Sequence, residues 1–195
     1  RQGRLEFNTE MSLFEDIWAW RNMDDGTLLL RREPSRPEGR WTDVLGKGDS
    51  VIYLHIPGGE PLKVDACISS LRRIIGFFEK YIPDYKYRAV VSTSWLLDPQ
   101  LKSILGHRSN IVKIQRLLRV YPSSLEGSDA VERVFGTKGV NGCSHETSMQ
   151  KRMAEFMDNG GKFRFGTMFI LPDELDRFIS RCGLVSRTSY RKGKT

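Results

Sequence analysis

A mixed α/β domain, one sheet covered by helices on both faces, is what this sequence predicts. Three observations predict it. The run "SVIYLHI" at 50–56 is β-prone and apolar on both of its faces, as in a buried strand. Straight after Pro57-Gly58-Gly59 the apolar period lengthens from two to the helical one. Strand patterns then return in "YRAVVSTSW" and "KFRFGTMFILP", separated by amphipathic helices.

Composition sets the outer bounds. The chain has 195 residues, 39% hydrophobic and 28% charged, enough for one ordinary core. No run of about 18 apolar residues appears, so the sequence holds no membrane-spanning helix, and "RQGRLEFN" is not built like a signal peptide. The opening lacks an initiator Met, as in a fragment or a processed product. Cys67, Cys143 and Cys182 have no C-x-x-C spacing, and His55, His107 and His145 are dispersed, so neither a disulfide framework nor a metal site is expected and a cytoplasmic location fits. A formal net charge of +7 attracts polyanions: nucleic acid, acidic lipid or a phosphorylated cofactor. Much of that excess lies in "SRTSYRKGKT", a pattern expected of a solvated terminus.

The elements follow in order. "GRLEFN" alternates Leu5 and Phe7 against Arg4 and Glu6 and predicts a half-buried strand. "DIWAWRNMDDGTLLLRRE" predicts a hairpin about Asp25-Gly26, with a helix over 11–21 as the competing reading because Leu13, Phe14, Ile17 and Trp20 fit a helical stripe. Pro34, Pro37 and Gly39, then "GKGD" at 46–49, predict turns with only loop between them. In the strand 50–56, Val51, Tyr53 and His55 share one face. The next helix carries Ile68, Leu71, Ile75 and Phe78 inward. After "YRAVVSTSW", "LDPQLKSILG" predicts a short helix with Asp98 as N-cap and Pro99 first. "SNIVKIQRLLRV" puts Ile111, Ile114 and Leu118 on one face, with Ser109 or Asn110 able to cap. "TSMQKRMAEFMDNGG" turns Met149, Met153, Phe156 and Met157 inward for core packing and stops at Asn159-Gly160-Gly161. Pro172, Asp173 and Glu174 suit the start of a last helix.

Two chemical features stand out from the pattern. A strand that passes through a Gly-rich turn into a helix gathers backbone N–H groups into an anion-binding geometry, although "PGGEPL" has neither P-loop nor G-x-G-x-x-G spacing; a turn needing Gly58 or Gly59 in a left-handed conformation explains it equally. His55 ends a central strand, where open α/β sheets place ligands, and an imidazole there can serve as general base; a buried histidine bonded to backbone is the structural alternative. His107 and His145 read as surface. Ser92, Ser94 and Cys143 are nucleophiles by type only, without an assigned base.

Several segments together resemble a known family: "RQGRLEF", "DSVIYLHIPGGEPL", "SSLRRIIGFFEKYIPDYKYRAVVSTSWLLDPQLKSIL", "SNIVKIQRLLR" and "TSMQKRMAEFMDNGGKFRFGTMFI". In that order they are similar to the GNAT-like C-terminal half of bacterial acyltransferase-domain proteins, over residues 1–171, leaving 172–195 as a C-terminal helix and basic tail. The resemblance implies an antiparallel meander ending in the strand with His55, then a helix, then a strand splayed from its neighbour, with acyl-coenzyme A in the splay. It implies a pyrophosphate site at Gly58, Gly59 and Glu60-Pro61-Leu62, with Ile56 also on the cofactor, though Glu60 stands where a cation would help. It further implies His55 as base, Asn110 on the pantetheine amides, and Ser94, Trp95 and Asp98 on the acceptor side. The implied activity is transfer of an acyl group from acyl-coenzyme A to an amine acceptor, with no metal. An N-terminal domain or a second copy of the chain is an expected partner. A silent GNAT-like module that binds a ligand or scaffolds a neighbour is the alternative; a nucleic-acid binder, suggested by charge and by Trp18, Trp20 and Trp41, has no recognition motif behind it.

Overall fold

The structure is a computed structural model that describes residues 2–11, 18–31, 33–175 and 177–179. The rival helix over 11–21 falls largely on residues outside that set, as do Cys182 and the basic tail. The chain divides into two compact units. The first comprises 1–57, 65–91 and the residues from 170 on, and the second 58–64 and 92–169.

In the first unit β1 (Glu6–Met11) pairs antiparallel with β5 (Ser50–His55), from Phe7 opposite Leu54 to Met11 opposite Ser50. The predicted hairpin is present: β2 (Trp18–Asn22) pairs with β3 (Leu28–Arg31), and the Asn22 N–H donates to Thr27 O at 2.8 Å. Gly26 turns at φ +73°, and the Asp25 carboxylate, held below its ordinary range by accepting the Thr27 N–H, closes the loop. Residues 41–45, expected to be loop, form β4 (Trp41–Leu45), which pairs with the far side of β2. A five-residue stretch with a central Asp has too little periodicity to announce itself, and its strand character comes from a non-local partner. The meander is therefore a separate three-stranded sheet in the order β3-β2-β4, and does not run on into β5 (Ser50–His55).

Helix α1 (Val64–Tyr81) buries Cys67, Ile68, Leu71, Ile74 and Phe78, so Ile74 takes the place predicted for Ile75. It links β5 to the parallel strand β6 (Ala89–Ser94), the β-helix-β unit that the change of period predicts. The helix begins at Val64, five residues beyond Gly59. The Gly-Gly turn is thus a loop of its own rather than the first turn of the helix, a correction to the predicted strand-to-helix joint. Phe78 packs against Tyr85 and Tyr87, and the Tyr85 hydroxyl lies 2.7 Å from Val51 O and 2.9 Å from Glu10 O, fastening the loop after α1 to the sheet. Ser70, buried, bonds the Arg4 N–H at 2.9 Å. Residues 172–175 and 177–179 are helical, as Pro172-Asp173-Glu174 predicts.

In the second unit the end of β6 leads through a 3₁₀ turn (Trp95–Leu97) to α2 (Leu101–Leu105) and α3 (Asn110–Leu117). Then come β7 (Val120–Glu126), α4 (Ser128–Phe135), α5 (Ser148–Asp158) and β8 (Arg164–Ile170). The sequence had not signalled β7 or α4. Pro122 sits in β7, an edge strand whose pairing with β8 shifts between Pro122 and Glu126, which is where a sheet tolerates proline. Leu101, Ala130, Val134, Phe135, Met153, Ala154 and Phe163 make the core, with Met149, Phe156 and Met157 packed on it. The methionine stripe is packing, as expected. Thr147 and Gln150 form a reciprocal capping box at the start of α5, worth about 1 kcal/mol.

Candidate active site

The segment that leaves β6 is built around two buried polar side chains. Asp98, only 1% exposed, holds its carboxylate against N–H donors alone: Gln100 N at 3.0 Å, Arg164 N at 2.8 Å and Gln100 Nε2 at 3.1 Å. No cation meets it. The Asp98 carboxylate accepts the Gln100 N–H, but α2 starts at Leu101 with Gln100 as its N-cap, so Asp98 and Pro99 precede the helix rather than cap and open it as predicted. Gln115, also 1% exposed, donates from Nε2 to Leu96 O at 2.8 Å and to Asp98 O at 2.9 Å, so one amide side chain from α3 ties the middle of the 3₁₀ turn to the residue that follows it. Its Oε1 is buried and accepts nothing among the described residues. At Gly166 in β8 an added Cβ would lie 1.7 Å from Leu97 O, so only glycine lets β8 pass the turn. Thr93 and Thr167 share a 3.0 Å hydrogen bond between β6 and β8.

The predicted site residues fall in distinct settings. Ser94 accepts the Leu96 N–H at 3.2 Å and caps the 3₁₀ turn that Trp95 opens. Asn110, expected as a cap, is the first residue of α3 and is exposed; Ser109 precedes it as N-cap and makes no side-chain cap bond. His55 closes β5 opposite Glu6 and is exposed, which removes the buried alternative. Ile56 is half-buried, and Gly58 and Gly59 are exposed. Gly59 has φ +95°, the left-handed conformation the sequence allowed for. The β5 to β6 ladder runs Val51↔Ala89, Ile52↔Val90 and Tyr53↔Val91, while the strands themselves extend to His55 and Ser94.

The other reactive types are accounted for by structure. Ser92 is buried. Cys143 Sγ accepts from Gln150 Nε2 at 3.4 Å, and His145 Nε2 lies 2.8 Å from Val140 O with its ring edge-on to Phe135. Burial pushes the Cys67 thiol up to about 11, partly countered by the charge of Arg4, so it is no nucleophile at neutral pH. Among the described residues no cluster of three His, Cys, Asp or Glu side chains could hold a metal, and no helix is long and apolar enough to cross a membrane.

One feature of this unit went unread in the sequence. No acid occurs between Asp98 and Glu126, a span that contains Lys102, Arg108, Lys113, Arg116 and Arg119. All five are exposed, and Lys102, Arg108, Lys113 and Arg116 enter no ion pair among the described residues. A windowed charge count would have found it, whereas the count by whole chain drew attention to the tail.

Comparison with known proteins places this architecture. The family described as "GNAT-like C-terminal domain" matches residues 1–169. Among solved structures, an acyltransferase in complex with decanoyl-CoA is similar at 29% identity and a TM-score of 0.63, over 88% of this chain and 46% of that one. An acyltransferase in complex with decanoyl-CoA and teicoplanin is similar at 23% identity with the same TM-score and coverage, a likeness of fold. The chain therefore spans about half the length of these structures. No curated protein matches it.

Proposed function

The chain belongs to the GNAT-like C-terminal domain family, and from that premise we propose that it is the acyl-coenzyme A-using part of an acyltransferase that acylates an amine. The observation that carries this reading is the 29% identity to an acyltransferase crystallised with decanoyl-CoA. A medium-chain thioester is accordingly the first donor to test.

In the proposed reaction the acceptor nitrogen attacks the thioester carbonyl carbon, the C–S bond breaks, coenzyme A leaves as the thiolate and the nitrogen loses a proton to a base. His55 is that base: exposed at the end of β5, it is open to an incoming amine. Ile56, Gly58, Gly59 and Asn110 take the donor, the exposed glycines offering backbone N–H groups without a side chain in the way. Ser94 and Trp95 face the acceptor from a turn whose shape Asp98 fixes from inside. A further domain or a second copy of the chain completes the acceptor side, in keeping with the chain's 46% share of its structural neighbour.

The reading is tested by titrating the protein with decanoyl-CoA in a thermal-shift assay and then following thiol release with a panel of amines. Saturable stabilisation, with release lost in His55→Ala while stabilisation persists, is the expected result. Stabilisation without release in the wild type, or full release by His55→Ala, would favour the silent ligand-binding module instead, the reading that Glu60 in the turn supports.

A further inference from the structure

Coenzyme A carries three phosphates, and the turn proposed to receive its pyrophosphate, residues 58–64, offers the acid Glu60 and a single exposed cation, Lys63. Resting on the acyl-coenzyme A reading, we infer that the exposed cations of the α2–α3 segment, Arg108, Lys113 and Arg116 with Lys102, supply the counter-charge for the donor's phosphates.

Four observations lead there. The turn residues 58–64 and the whole α2–α3 segment belong to the same compact unit. Lys113 and Arg116 are spaced three apart on α3, and Asn110 precedes them by three, so all three side chains lie along one side of the helix, exposed, while Val112, Ile114 and Gln115 face inward. Like charges at that spacing repel each other, and the chain provides no acid between Asp98 and Glu126 to relieve them. An anion from outside is what relieves them.

Elsewhere among the described residues Arg21, Arg40, Arg88 and Arg177 each meet an aspartate, while exposed cations such as Arg36, Lys47 and Lys151 meet none. What sets the cations of α2–α3 apart is the acid-free run of sequence that holds them. The kind of anion follows from what accompanies them. Between Trp95 and Tyr121 there is no Phe, Tyr or Trp, so the segment lacks the interleaved large aromatic side chains of a stacking groove, and a single-stranded nucleic acid is disfavoured. Phosphate esters need only charge and hydrogen-bond donors, which Lys, Arg and Asn110 provide.

The experiment measures dissociation constants of the full chain for three probes: coenzyme A, dephospho-coenzyme A, which lacks the 3′-phosphate, and pantetheine, which has no phosphate. In Lys113→Glu/Arg116→Glu the affinity for coenzyme A is expected to fall about tenfold or more, with a shallower salt dependence, and that for pantetheine to stay unchanged. A smaller loss for dephospho-coenzyme A assigns part of the face to the 3′-phosphate. Arg36→Glu/Lys47→Glu, which changes net charge equally in the first unit, is expected to bind coenzyme A as the wild type does, and Lys113→Gln/Arg116→Gln guards against loss of folding in the reversal. Wild-type affinity for coenzyme A in both α3 variants overturns the inference while leaving the acyl-coenzyme A reading in place. Loss of affinity equal for pantetheine and coenzyme A, or equal in the first-unit control, also overturns it. If the wild type binds no coenzyme A at all, the proposed function fails and takes the inference with it; binding of an acidic protein or of RNA by the same face would then identify a different partner.

Discussion

The two units use charge in opposite ways. In the first, the ion pairs among the described residues lie at the surface: Arg21 grips Asp173 through two bonds of 2.8 and 3.0 Å, Arg40 meets Asp24 at 2.7 Å, and Arg88 reaches both Asp43 and Asp49. In the second, the structurally important charge is inside and single. Among the described residues Asp98 is met only by N–H donors, while the cations of α2–α3 have no acid near them in sequence. Pairing holds loops in place in one unit; in the other, a buried carboxylate does that work and the cations are left available. The contrast teaches that a positive net charge has no single meaning even within one small chain, because what matters is whether each cation already has its anion.

The strongest way to break the contrast is to disturb the interior of the second unit. Gly166→Ala would put a methyl carbon within 1.7 Å of Leu97 O and 2.2 Å of its carbonyl carbon, and neither backbone can yield without shearing β8 from the 3₁₀ turn. A loss of about 3 kcal/mol or more is expected, read as a fall in the urea midpoint, with the first unit's Arg21–Asp173 pair untouched. An unchanged midpoint would mean that the close approach is not a constraint.

Removing the buried carboxylate comes next. Asp98→Ala strands the Arg164 and Gln100 N–H groups, at about 1–3 kcal/mol for each buried donor left without an acceptor, partly recovered if water enters. A total near 3 kcal/mol is expected by chemical denaturation, with amide exchange at Arg164 accelerated. Protection at Arg164 as in the wild type would show that the carboxylate is dispensable.

How much of this was readable in advance depends on the range of the interaction. The strand at 50–55, the hairpin at Asp25-Gly26 and the α5 stripe declare themselves through local period and turn chemistry. The bond from Asp98 to the N–H two residues on was legible in the same way, whereas the start of α2 at Leu101, with Gln100 and not Asp98 as its cap, was not. Gln115 was not: nothing local distinguishes a glutamine that reaches across to Leu96 O from one in solvent. Nor was β4, which exists because β2 offers it an edge, or Gly166, whose need arises from a segment nearly seventy positions away in the chain. The candidate site divides the same way. His55 and the Gly58-Gly59 turn were visible as types at a strand end, whereas the start of α1 at Val64, which detaches that turn from the helix, required the fold.

A smaller effect sharpens the surface side of the comparison. The Arg21 guanidinium, bonded to Asp173, holds that carboxyl below its ordinary value, with the charges of Arg21 and Arg177 adding to the shift against a modest opposing effect of burial. A carboxylate whose pKa is lower folded than unfolded contributes stability above its unfolded pKa and loses it as pH falls through the folded one. With the two side chains 25% and 48% exposed, solvent screening limits the contribution to roughly 0.5–1 kcal/mol. Wild type should therefore exceed Asp173→Asn by that amount at pH 7, and the two curves should meet below the usual carboxylate range. A gap that persists to pH 2 would assign the difference to something other than ionisation.

The smallest expected effect is the most informative about the cations of α3. Lys113 and Arg116 stand three residues apart with no acid near them in sequence, so neutralising one should relieve repulsion rather than remove a bond. Lys113→Gln is predicted to leave stability unchanged or raise it by about 0.2–0.5 kcal/mol, an increment that added salt abolishes because salt already screens the repulsion in the wild type. The same neutralisation at Arg21 should lower stability, and salt should shrink that loss too. Opposite signs with a common salt response would establish that one unit's cations are held for structure and the other's are kept at a cost to it. A stability loss in Lys113→Gln would instead mean that α3 depends on this charge for its own folding.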